Sequence, residues 1–132
     1  MDAFVIQGGK RLRGTVRIHG SKNATLPIMA AALLTEAPVT LHGVPDLSDI
    51  RNMAKLLQAL GCTVDMEPDS GEQGGLIVRI QSVDSTKNLA HYDIVRTMRA
   101  SICALGPLLA KRGQAEVSMP GGETSRMKLA AR

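Results

Sequence analysis

Strand-like and helix-like apolar patterns alternate along this chain, and the alternation limits the possible folds more than any other feature. Short apolar or alternating runs indicate strands at about residues 3–7, 11–18, 38–41, 62–66, 76–80 and 115–119. Apolar residues at helical spacing indicate helices over about 22–35, 46–60 and 93–111. This order predicts an α/β fold in which a βαβαββ unit is followed by the start of a second copy.

Turn and capping residues refine these boundaries. The first two strands are expected to form a hairpin, and residues 120–122 (Pro-Gly-Gly) are expected to form a turn. Asp46 or Ser48 can cap the second helix, and Gly61 provides a stop at its C-terminal end. Pro107 lies inside the third predicted helix, so we expect a kink there.

Composition excludes several classes of function. The 132 residues include 16 basic and 12 acidic side chains, for a net charge of +4, and only one Tyr, one Phe and no Trp. Because the basic residues form no dense cluster and aromatic rings for base stacking are almost absent, we expect no nucleic-acid partner. The longest apolar run, residues 26–34, is too short to cross a bilayer, so we expect no membrane association.

The cysteines and the N-terminus indicate a cytoplasmic protein. Cys62 and Cys103 have neither the spacing of a zinc site nor that of a disulfide framework, so reduced thiols and no bound metal are expected. The N-terminal residues lack the basic and apolar regions of a signal peptide.

Residues 20–23 (Gly-Ser-Lys-Asn) lie where a strand leads into the first helix. Backbone N–H groups, the positive end of the helix dipole and the Lys22 ammonium would converge there, as they do in sites that hold phosphate or carboxylate. The string is not a Walker loop. A helix start followed by a solvated lysine accounts for the same residues, and the local pattern by itself favours that interpretation.

Arg96 and Arg99 are predicted near the start of the third helix, where a positive charge is locally unfavourable. A bound anion would offset that cost. A solvent-exposed arginine face explains the spacing equally well, and spacing by itself favours it.

Three stretches carry a family resemblance: FVIQGGKRLRGTVRIHGSKNATLPIMAAALLTEAPV, GVPDLSDIRNMAKLLQALG and YDIVRTMRASICALGPLLAKRGQAEVSMPGG. Together they make residues 1–122 similar to the N-terminal portion of the enolpyruvyl transferase family. Asn23 and the pair Leu26-Pro27 favour the branch of UDP-N-acetylglucosamine 1-carboxyvinyltransferases over the shikimate-pathway branch.

The resemblance implies a fold of two lobes, each an inside-out α/β barrel built from βαβαββ units, with the active site between them. In this chain it implies N-terminal strands over 1–20 that pair with the other lobe, an incomplete lobe over 21–122, and a divergent tail over 123–132. The second lobe would be missing, so exposed strand edges would favour oligomers.

The same resemblance implies substrates and roles. The reaction would transfer enolpyruvyl from phosphoenolpyruvate to the 3′-hydroxyl of UDP-N-acetylglucosamine, the first committed step of peptidoglycan synthesis, without a cofactor. Lys22 and Asn23 match residues that bind phosphoenolpyruvate, and Arg99 matches an arginine that binds the nucleotide-sugar. Glu123 stands where the family has a catalytic Cys or Asp, and the sequence after it departs from the family pattern.

Two other hypotheses remain compatible with the sequence. The chain would be a truncated relative that keeps the anion site at Lys22 and Asn23 without catalysis, or a relative of the shikimate-pathway enzyme. The missing second lobe and the altered residues after Gly122 mean that the 132 residues by themselves are expected to be inactive.

Overall fold

The computed structural model describes residues 3–16, 18–71, 74–90, 92–96, 98–118 and 126–130. The helices are α1 (Lys22–Ala31), α2 (Ser48–Ala59), α3 (Tyr92–Val95) and α4 (Leu105–Arg112), with 3₁₀ turns over Ala32–Leu34 and Arg99–Ala104. The strands are β1 (Val39–Val44), β2 (Cys62–Pro68), β3 (Leu76–Ser82), β4 (Leu89–Ala90), β5 (Gln114–Ser118) and β6 (Arg126–Ala130).

The first sheet has the strand order β1-β3-β2, and β3 runs antiparallel to both of its neighbours. Ile80 in the central strand pairs with Val39 on one side and Val64 on the other. β1 and β2 are therefore parallel to each other, and α2 forms the crossover between them, as parallel strands require. The predicted strands at 38–41, 62–66 and 76–80 and the helix at 46–60 are confirmed.

The second sheet has the order β4-β5-β6. β4 and β5 are parallel and are connected through α3, the 3₁₀ turn and α4, whereas β6 pairs antiparallel with β5. The first sheet with α1 and α2 thus forms most of a βαβαββ unit, and β4 to β5 begins a second one. The predicted α/β fold, in which one βαβαββ unit is followed by the start of a second copy, is therefore present in incomplete form.

The core between these elements is aliphatic. Its largest fully buried side chains are Met29, Leu33, Ile50, Met53, Leu56, Leu57, Leu60, Ile80, Leu108, Val78, Val95 and Val117. They come from α1 and its 3₁₀ extension, one face of α2, the central strand of each sheet, and the segment from α3 to α4. This shared core packs α1 against both α2 and the 3₁₀ turn at Arg99–Ala104.

The predicted N-terminal hairpin is wrong. Residues 3–16 and 18–20 contain neither strand nor helix, and Phe4, Val5 and Ile6 are 96%, 98% and 87% exposed. Leu12, Val16 and Ile18 alternate as a half-buried strand would but are also at least 85% exposed. An isolated two-stranded hairpin is marginal in water, and alternation stabilises a strand only when another layer covers its apolar face.

The single helix predicted over 93–111 is also wrong. After α3, Met98 is extended, with φ −152° and ψ 113°, and a 3₁₀ turn precedes α4. Pro107 is the third residue of α4, where a backbone N–H would have no partner within the helix, so it produces no kink in a longer helix. The break falls just before Arg99 instead.

The capping predictions had mixed outcomes. Leu47, rather than Asp46 or Ser48, is the N-cap of α2, and no described side chain caps it. Asp46 instead accepts two hydrogen bonds from the guanidinium of Arg51, at 2.9 and 2.8 Å. Gly61 follows α2 with φ +84°, so the predicted stop is confirmed. The turn expected at 120–122 lies outside the described residues.

Within the described part of the chain, no helix is long and apolar enough to cross a membrane.

Candidate functional site

Three chain segments that each begin a helical turn meet at one cleft of about 320 Å³. The segments are the starts of α1, of α2 and of the 3₁₀ turn at Arg99–Ala104. The lining residues are Lys22, Asn23, Leu26, Asp49, Met98, Arg99 and Ala100. The structure therefore brings together the three residues that the family resemblance assigned to substrate binding, Lys22, Asn23 and Arg99.

Lys22 and Asn23 are the first two residues of α1. Ser21 precedes them in an extended conformation, and none of the described side chains caps the helix. The first intrahelical bond runs from the Thr25 N–H to the Ser21 carbonyl, at 2.9 Å. The earlier N–H groups have no acceptor within the helix, so the α1 start presents donors and the positive end of its dipole to this region.

Close backbone contact with β1 fixes the approach to α1. A Cβ atom at Gly20 would overlap the carbonyl oxygen of Gly43, and it would lie 3.5 Å from Cδ of Pro45. A Cβ atom at Gly75 would lie 2.5 Å from the carbonyl oxygen of Val44. Glycine at these positions lets three backbones pack together directly before Lys22.

Asp49 is a residue of this cleft that the sequence reasoning missed. Its Oδ2 lies 2.7 Å from Nζ of Lys22, and the two side chains are 31% and 41% exposed. An acidic residue in the first turn of α2 was visible in the sequence and is typical of helix starts. Nothing local, however, indicates that this turn faces Lys22, because the packing of α1 on α2 decides it.

Arg99 enters the cleft from the second unit of the fold. Met98, which is 4% exposed, anchors the start of the 3₁₀ turn, and Arg99 itself is exposed. Arg96, the other predicted arginine, does not line the cleft, and its Nε lies 3.6 Å from Asp93. Among the described residues that line it, the cleft thus holds two cationic side chains, Lys22 and Arg99, and one carboxylate, Asp49.

The position of Glu123 lies outside the described residues, so its predicted catalytic role stays a prediction. Among the residues that are described, no three His, Cys, Asp or Glu side chains are grouped to hold a metal. The described part of the cleft is suited to binding an anion: it offers an ammonium, a guanidinium, an amide side chain and a helix start.

The architecture defines the class of protein. The structure is similar to that of the enolpyruvyl transferase NikO from Streptomyces tendae, with a TM-score of 0.70 over 95% of this chain and 31% of that chain. Sequence identity is 22%, so this likeness concerns the fold. The family model described as EPSP synthase (3-phosphoshikimate 1-carboxyvinyltransferase) matches residues 6–128. The chain belongs to this family.

The similar curated relatives are more specific. The chain is 50% identical over 122 residues to UDP-N-acetylglucosamine 1-carboxyvinyltransferase from Acinetobacter guillouiae, covering 92% of this chain and 27% of the relative. It is 52% identical to the transferase of that name from Solibacter usitatus, covering 92% of this chain and 28% of the relative. The resemblance inferred from the sequence is confirmed, and the chain spans less than a third of these relatives' length.

Proposed function

We propose that this chain forms the N-terminal part of a cytoplasmic enzyme that transfers enolpyruvyl from phosphoenolpyruvate to the 3′-hydroxyl of UDP-N-acetylglucosamine, in peptidoglycan synthesis. The observation that carries the proposal is the meeting of Lys22, Asn23 and Arg99 at one cleft. The names of the relatives at about 50% identity support the choice of substrates.

In this proposal, Lys22 and Asn23 bind phosphoenolpyruvate. The ammonium donates charge-assisted hydrogen bonds to the phosphate or carboxylate, and the Asn23 amide donates a neutral one. The α1 start adds backbone donors and a favourable dipole. Arg99 binds an anionic group of the nucleotide-sugar, since a guanidinium can donate two parallel hydrogen bonds to a phosphate.

The chemistry needs more than this cleft. The methylene carbon of phosphoenolpyruvate accepts a proton, the sugar hydroxyl adds to the adjacent carbon, and elimination then releases phosphate. Glu123 occupies the proposed donor position, but a glutamate with an ordinary pKa of about 4.3 is deprotonated at neutral pH. A positioned general base contributes about 10²–10⁴ in rate, and none is assigned in this chain. We therefore expect the 132-residue chain to release no phosphate by itself.

A binding titration tests the anion site directly. Phosphoenolpyruvate added to the ¹⁵N-labelled chain is expected to shift the amide signals of residues 22–24 in NMR spectra. Lys22→Ala is expected to weaken binding about 10- to 100-fold, because a charged hydrogen bond contributes about 1.5–3 kcal/mol. Lys55→Ala is the matched control, because Lys55 is exposed on α2 and does not line the cleft. Equal effects of the two variants would contradict the assignment.

A shikimate-pathway function is the second candidate, and the description of the matching family model favours it. The two functions differ in the acceptor. With phosphoenolpyruvate present, UDP-N-acetylglucosamine is expected to shift signals around Arg99, whereas 3-phosphoshikimate is expected to shift none. The reverse result would replace the proposed acceptor.

The proposal includes a partner for the N-terminal segment. Six apolar side chains between residues 4 and 18 are at least 85% exposed, and we propose that the rest of a longer protein covers them. In the isolated chain they are expected to promote oligomers, measured by light scattering. A monodisperse monomer would contradict this part.

A further inference from the structure

We propose that Asp49 is a positioning residue that holds the Lys22 ammonium over the cleft, in place for an anionic ligand. The inference rests on the proposed function of Lys22 as a phosphoenolpyruvate ligand. Asp49 would then contribute to the affinity for phosphoenolpyruvate indirectly, through Lys22. Its own carboxylate is negatively charged and would repel an anionic ligand.

Asp49 is a fixed acceptor because the start of α2 is anchored in the core. Ile50, the next residue, is fully buried, and so is Met53 one turn later. The carbonyl of Leu47 accepts hydrogen bonds from the N–H groups of Ile50, at 3.1 Å, and Arg51, at 3.2 Å. The carboxylate of Asp49 thus stands on a rigid turn, on a short side chain with little freedom of its own.

The Lys22 side chain, in contrast to that of Asp49, is flexible. Its ammonium is carried by a flexible four-carbon stem, and ordering that stem for a ligand costs conformational entropy. The contact of 2.7 Å with Asp49 orders the stem before a ligand arrives. An ammonium has three N–H donors, so two remain for the ligand after Asp49 accepts one. The side chain is therefore preorganised, which favours binding.

The charge balance of the cleft permits this arrangement. In the described lining of the cleft, Lys22 and Arg99 supply two positive charges against the one negative charge of Asp49, so this lining still attracts anions. Asp46 lies three residues earlier on the same approach to α2, but its carboxylate is engaged by Arg51 and does not line the cleft. The chain therefore contains a matched control for Asp49.

The test is a double-mutant cycle on the 132-residue chain, with phosphoenolpyruvate affinity measured by NMR titration. Asp49→Asn is expected to weaken binding about two- to fivefold, the range of partly exposed ion pairs. Asp46→Asn is expected to leave the affinity unchanged. In a Lys22→Ala background, Asp49→Asn is expected to have no effect, because its action passes through Lys22. Thermal unfolding of both Asn variants separates this coupling from a loss of stability.

Three outcomes would overturn the inference. Tighter binding by Asp49→Asn would make Asp49 a competitor of the ligand, and an equal loss in the parent and Lys22→Ala backgrounds would show an action independent of Lys22. If Lys22→Ala weakens binding and Asp49→Asn does not, the positioning role fails while the proposed function stands. If the unaltered chain binds no phosphoenolpyruvate at about 10 mM, tenfold above a millimolar Kd, both proposals fail.

Discussion

Arg112, the last residue of α4, connects the two units of the fold, and its replacement by Met is expected to destabilise the chain strongly. Its guanidinium donates hydrogen bonds to the carbonyl of Leu60 at 2.9 Å, to the carbonyl of Lys87, and to Oγ of Ser82 at 3.3 Å. Leu60 directly follows α2 and Ser82 ends β3, so one side chain connects the second unit to two elements of the first.

The size of the effect follows from these bonds. A hydrogen bond from a charged donor contributes about 1.5–3 kcal/mol, and Arg112→Met leaves two carbonyls without this donor while retaining the apolar stem. Because the Lys87 contact is exposed, water replaces part of what is lost. We expect a decrease of about 2–4 kcal/mol in the free energy of unfolding. At about 4 °C per kcal/mol for a chain of this size, Tm falls by about 8–16 °C.

Urea unfolding followed by circular dichroism measures this free energy, and Lys111→Met is the matched control. Lys111 precedes Arg112, and its ammonium lies 3.4 Å from a Glu36 carboxylate that is 79% exposed. Such a pair contributes at most about 1 kcal/mol. Because the first unit carries Lys22 and the second carries Arg99, the proposed ligand of the nucleotide-sugar, Arg112→Met is also expected to weaken UDP-N-acetylglucosamine binding in the presence of phosphoenolpyruvate. Equal losses of stability in the two variants would refute the reasoning.

Two further predictions concern backbone contacts of Gly43, with Gly20 and with Asp69. Gly20→Ala is expected to displace the start of α1 from the Gly43 carbonyl and so to weaken phosphoenolpyruvate binding, measured by NMR titration. Gly14→Ala is the control, because open space surrounds Gly14, and it is expected to leave the affinity unchanged. Equal affinities of the two variants would contradict this prediction. The carboxylate of Asp69 accepts hydrogen bonds from the N–H groups of Gly71 (2.8 Å) and Gly43 (3.0 Å), which lower the pKa of this carboxyl. Its ionised form therefore stabilises the fold at pH values above the ordinary Asp pKa of about 3.9, and this stabilisation is lost as the pH falls below that value. The difference in unfolding free energy between the parent and Asp69→Asn is therefore expected to be larger at pH 7 than at pH 3, and a difference that does not depend on pH would count against the assignment.

The local sequence predicted some residues of the candidate site but not how they are grouped. The sequence by itself marked Lys22 and Asn23 as anion-binding candidates, because helix starts and lysine are recognisable locally. It could not choose between a binding site and a solvated surface, and the same was true of Arg99. Only the packing of α1 against the Arg99–Ala104 turn places the cationic groups at one cleft. Asp49 was missed because its partner belongs to another helix.

In the fold, too, some elements followed from the local sequence and others depended on long-range contacts. Helix α2, its stop at Gly61 and strands β2 and β3 were predicted because periodicity, capping glycines and short apolar runs act over a few residues. The hairpin at 3–18 failed because an alternating segment becomes a strand only beside a partner edge, which the described residues do not supply. The third helix broke before Arg99 although its apolar spacing continues, and Pro107 takes a place in the first turn of α4. Pairing and packing join residues far apart in the chain, so only the tertiary structure decides them.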